Sequence, residues 1–101
     1  IKDQKAAPGS EAAIRKVVSG LASGNPDYDV FDARMAQFTR QSLPGLQQFV
    51  GSQGALKTLT FRKVTDQGAD EYDAEFEKAS FRVIVGLDEQ GKVAGMNFFP
   101  R

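Results

Sequence analysis

The chain of 101 residues contains no cysteine, no histidine and no tryptophan. Without cysteine there is no disulfide, no thiolate nucleophile and no sulfur-ligated metal. Without histidine there is no imidazole base, so Ser-His-Asp and Cys-His catalysis within the chain are excluded. Imidazole metal sites go with it, leaving only weak all-oxygen sites for hard cations, and no metal or cofactor is expected. An excess of charge of one sign is missing too. Thirteen basic residues balance thirteen acidic ones, so nothing draws in phosphates and nucleic acid is not an expected partner. No apolar run approaches a membrane span, and there is no low-complexity tract or internal repeat.

What remains is ordinary for one globular domain: 41% apolar and 26% charged residues in a length that closes around a single core. Ile1 stands where an initiator methionine would, which implies that a start, a signal segment or a preceding domain has been removed. Residues 1–9 (IKDQKAAPG) are polar, end in Pro and Gly, and read as a flexible tail or linker remnant. The domain is expected over 10–101.

Three helices are predicted before the sheet. Ser10 is placed to cap the first, with Glu11 in its first turn and Ile14, Val17, Val18 and Leu21 as one apolar stripe. Gly24-Asn25-Pro26 ends it. A second helix is expected from Asp27 or Asp29, with Phe31, Met35 and Phe38 on one face and Tyr28 a turn earlier. Pro44 would open a short third helix carrying Leu46, Phe49 and Val50.

From Ala55 to Pro100 the pattern changes to four consecutive strands joined by turns at Gln67-Gly68, Lys78-Ala79 and Asp88-Glu89-Gln90-Gly91. Folding at those turns opposes Phe76 to Phe81, Phe61 to Ala74 and Val83 to Met96. The inner face then carries Leu59, Phe61, Tyr72, Ala74, Phe76, Phe81, Val83, Val85, Ala94, Met96 and Phe98. The acidic run falls outward, with Arg62 opposite Asp73 and Arg82 opposite Glu75. The expected fold is α+β: helices packed on the inner face of a curved, cone-shaped antiparallel meander.

Helices followed by a four-stranded meander resemble the cystatin-like and nuclear-transport-factor-2-like superfamily. Three segments, Leu43-Pro44-Gly45-Leu46-Gln47, Gly54-Ala55-Leu56-Lys57-Thr58-Leu59-Thr60-Phe61 and Gly91-Lys92-Val93-Ala94-Gly95-Met96 with Phe98 to Pro100, resemble a small bacterial domain found beside serine β-lactamase-like hydrolases. The resemblance covers roughly Ile14 to Arg101. It implies an accessory domain next to a hydrolase, and with the non-Met start it points to an exported protein, a cytoplasmic one remaining open. The superfamily also includes isomerases, cyclases and dehydratases whose carboxylates and tyrosines lie inside the cone.

The candidate site follows from the inner face. Tyr72 is its polar-tipped residue, with Lys63 opposite at the rim. Together they could orient an anionic or carbonyl ligand, or Tyr72 could simply cap the core with its hydroxyl in water. Tyr28 and Met96 would line the same pocket, and Arg34 and Arg40 could clamp an acidic ligand or make surface pairs. Glu71, Asp73, Glu75 and Glu77 diverge along an open, arginine-flanked face, which suits solvation better than catalysis. Ile84 and Phe99 form a small outer patch suited to a homodimer through the sheet or to docking on a neighbouring domain. The reading is a non-catalytic domain that binds a small apolar or anionic ligand or a protein partner. The alternative is a lyase or isomerase of the polyketide-cyclase-like kind using Tyr72.

Overall fold

The structure is a computed structural model and describes residues 5–101. Helix α1 (Ser10–Ser23) and helix α2 (Ala33–Ser52) lie on one face of an antiparallel sheet of β1 (Leu56–Val64), β2 (Asp70–Phe76), β3 (Ser80–Leu87) and β4 (Val93–Pro100), in that spatial order. This is the expected α+β class. The sheet is not strongly curled, so the expected curvature into a cone is not borne out. Among the described residues no helix is long and apolar enough to cross a membrane.

Helix α1 buries the predicted stripe of Ile14, Val17, Val18 and Leu21. Its cap differs from expectation. Gly9 holds the N-cap in a left-handed conformation, and Ser10 is the first helical residue, its hydroxyl engaged elsewhere. Asp27 caps a single 3-10 turn (Tyr28–Val30), and Phe31 makes a parallel bridge to Val93. An ion pair with Lys16 and the N–H of Asp29 hold the Asp27 carboxyl below the usual range.

The expected second and third helices are one. Asp32 caps α2 by accepting the Met35 N–H at 2.8 Å, and the helix runs through Pro44 to Ser52. An interior proline removes one ladder bond and costs about 3 kcal/mol or more in a helix. Continuous packing outweighs it here: Ala36, Thr39 and Val50 are buried, and Leu43 and Leu46 pack against the core between them. That spacing of three and four residues passes straight across Pro44. Phe38, predicted on the buried face, is instead 51% exposed.

The strands keep their predicted faces but not their predicted partners. Tyr72, Ala74, Phe76, Phe81, Val83 and Val85 are buried, as expected. Yet Ala74 pairs with Phe81, Leu59 with Ala74, and Val83 with Phe98, a two-residue slip at each hairpin. The turns explain it, together with a bulge beside each of the two Gly-ended loops. Thr65 N–H donates to Ala69 C=O and Asp88 N–H to Lys92 C=O, enclosing the three-residue loops Asp66-Gln67-Gly68 and Glu89-Gln90-Gly91. Gly68 (φ 83°) and Gly91 (φ 79°) take the left-handed position such loops require. The β2–β3 turn is Glu77-Lys78, closed by Phe76 N–H on Ala79 C=O.

Further register shifts lie in β1, between Leu56 and Thr58 and between Phe61 and Lys63, and across Gly86 and Leu87 in the β3–β4 pair. The last carries Val93, not Ala94, into the core at 0% exposure. The Arg62–Asp73 ion pair forms at 3.3 Å, and Arg101 joins it at 3.2 Å. The Glu75–Arg82 pairing does not: Glu75 faces Ser80, and Arg82 lies over the Phe99 ring at 5.0 Å.

Candidate functional site

The five predicted site residues separate into four places. Tyr72 sits on the inner face of β2 but is only 2% exposed, and its hydroxyl lies 2.6 Å from Ser10 Oγ. The Phe61 ring packs edge-on against it, 5.6 Å between centroids. Burial raises the Tyr72 phenol above its ordinary value, against the opposing pull of the Ser10 hydrogen bond. Tyr72 is therefore enclosed rather than set at an open rim, and the rim placement is corrected. Two residues back along β2, buried Asp70 accepts the Ala7 N–H at 2.7 Å. Ala6 also packs against the core. Residues 5–9 of the expected tail are thus tied to the sheet, and residues 1–4 lie outside the described residues.

Lys63 does not face Tyr72. The register shift at Arg62 pairs it with Glu71 on the outer surface, and Phe61 takes the place opposite Tyr72. Tyr28 is half-buried beside Phe31, and the Arg40 guanidinium stacks on its ring at 4.3 Å. That contact engages both groups and sets them apart from Tyr72.

Arg34 and Met96 do come together. They line a groove of about 360 Å3 between α2 and β4, with Met35, Phe38, Gly95 and Asn97. Helix α2 supplies Arg34, Met35 and Phe38 from its first turns. Strand β4 supplies the floor just beyond its bulge, and Arg34 Nη2 donates to Ala94 C=O at 3.5 Å. Behind the groove the apolar space narrows to about 60 Å3 among Leu21, Phe31, Met35, Met96 and Phe98. That volume is too small for a substrate.

Phe38 is the residue that sequence reasoning misplaced. Its position one turn past Met35 reads as core, but the buried face of α2 is rotated toward Ala36 and Thr39. Phe49, 38% exposed, continues the same margin further along α2, packed edge-on to Phe81 and Phe98. The groove can bind apolar side chains, and its open backbone edge can bind another strand. It holds no acid–base pair, and among the described residues no group of carboxylates is clustered to hold a metal. Comparison with protein-family models, with curated proteins and with solved structures found no significant match.

Proposed function

We propose that this chain is a non-catalytic binding domain that docks a protein partner along the margin between α2 and β4. The observation that carries the reading is the uncovered groove there, where Phe38 stands half exposed beside Met35 and Met96. An apolar groove beside an open strand edge is a surface that proteins use to hold one another. The alternative as a lyase or isomerase loses its support, because the Tyr72 hydroxyl is bonded to Ser10 below the surface. The resemblance to a hydrolase-associated domain favours an accessory role.

The test is a photo-reactive benzoyl-phenylalanine at position 38, compared with one at position 62 on the outer face. In cells of the source organism, protein adducts at 38 and none at 62 are expected. No protein adduct at 38 would overturn the reading.

One observation favours a second reading: Arg34 stands at the mouth of the groove, and about 360 Å3 falls within the range of small-molecule sites. A small amphiphilic anion would place its carboxylate on Arg34. Calorimetric titration with octanoate, lost in Arg34→Ala, is the result expected from it.

A further inference from the structure

The two edges of the sheet are built differently. β1 carries Lys57, Arg62 and Lys63 and two register shifts, the devices that keep an edge strand from pairing with another chain. β4 reads Val-Ala-Gly-Met-Asn-Phe-Phe-Pro and has no charged residue.

The hydrogen bonds of β4 show which groups face out. Arg101 N–H donates to Ser80 C=O at 3.1 Å, and Phe81 stands opposite Pro100. In an antiparallel ladder this turns the backbone groups of Gly95, Asn97 and Phe99 toward β3 and those of Met96 and Phe98 outward. The start of the edge is already covered: Val93 C=O accepts the Asp32 N–H at 2.9 Å, and Ala94 C=O accepts from Arg34. Among the described residues, what is left open is the stretch of Met96 and Phe98, whose side chains lie along the groove and the space behind it.

We propose that the partner on this margin is a second copy of the chain, its β4 antiparallel to the first with a two-fold axis at Asn97, giving one continuous sheet. The proposal rests on the docking reading above and names the partner.

This register satisfies the edge from its own chemistry. Met96 of each copy exchanges both backbone hydrogen bonds with Phe98 of the other. Pro100, which has no N–H, falls opposite Ala94, whose C=O needs none because Arg34 already donates to it. On the outer face Phe99, 40% exposed, falls opposite Gly95, where a side chain would meet nothing within 4 Å. A ring laid over an edge glycine is a stabilising cross-strand pair. On the inner face the Met96 and Phe98 side chains of the two copies meet, flanked by Phe38 and Phe49. Asn97 faces its own counterpart at a position where side chains approach most closely.

The chain has no cysteine, so Asn97→Cys creates a single thiol on the axis, and Thr60→Cys on exposed β1 serves as control. A wild-type mass of twice the monomer at about 100 μM, well above a micromolar dissociation constant, is expected, with a reducible disulfide dimer from Asn97→Cys and not from Thr60→Cys. Gly95→Lys, for which the monomer has room, should halve the mass while retaining the circular dichroism of the fold. A monomeric wild type would overturn the proposal, as would equal cross-linking of the two cysteine variants or dimers that survive Gly95→Lys. An adduct at position 38 heavier or lighter than a second copy would overturn it and leave the docking reading standing. No protein adduct at 38 would overturn both.

Discussion

The Tyr72 hydroxyl and Ser10 Oγ lie 2.6 Å apart, buried and separated by 62 residues of chain. Truncating either side leaves the other hydroxyl buried without a partner. Tyr72→Phe and Ser10→Ala should each lose about 1–3 kcal/mol. The double variant should lose less than the sum, because it leaves no orphan. Chemical denaturation of the four proteins checks this cycle. A loss under ~0.5 kcal/mol in both single variants would mean that water satisfies these groups.

The same contact has a pH signature. Burial raises the Tyr72 phenol above 10.0, its unperturbed value. Its contribution to stability is therefore present in full below that pH. It is lost as pH rises past the unfolded value and through the folded one, because only the unfolded chain releases the proton in between. Alkaline melts should show a steeper decline in wild type than in Tyr72→Phe. Identical profiles above pH 10.0 would contradict the placement of the phenol.

Pro44 gives a prediction of opposite sign. Inside a continuous α2, Pro44→Ala restores a helical N–H, and at this exposed position it should raise stability by about 1–3 kcal/mol. Were Pro44 the opening residue of a separate helix, the change would be neutral or harmful. A shift in melting temperature decides between the two.

Gly20 looks like another candidate for stabilisation, since alanine is favoured over glycine in a helix by about 1 kcal/mol. Here the added methyl would come within 2.8 Å of Pro26 Cα, a backbone atom. Gly20→Ala should therefore destabilise. A higher melting temperature in that variant would show that the turn after α1 yields easily.

The faces of the sheet were legible in the sequence and the partners were not, for one physical reason. Alternation has a period of two, so Phe81 reads as inward whether it faces Phe76 or Ala74. What separates the registers is local: the β2–β3 turn sits one residue earlier, at Glu77-Lys78, and the two Gly-ended loops each close on three residues beside a bulge, in β1 and in β4. The continuity of α2 was legible in the spacing of Ala36, Thr39, Leu43, Leu46 and Val50, although Pro44 draws the eye to a break. The sequence pattern sets Arg34 and Met96 in one pocket with Tyr72; the two meet in the groove between α2 and β4, and packing encloses Tyr72. Nothing local to Tyr72 signals that Ser10 will cover it.

The tie between the start of the chain and β2 also bears on synthesis. Helix α1 leaves the ribosome first, yet Asp70 and Tyr72, which hold its N-terminal end, follow 63 and 62 residues behind their partners. Until β2 emerges and pairs, Ile14, Val17, Val18 and Leu21 have no sheet to rest on. The apolar face of the nascent helix therefore stays without its sheet until β2 and the strands after it have been made.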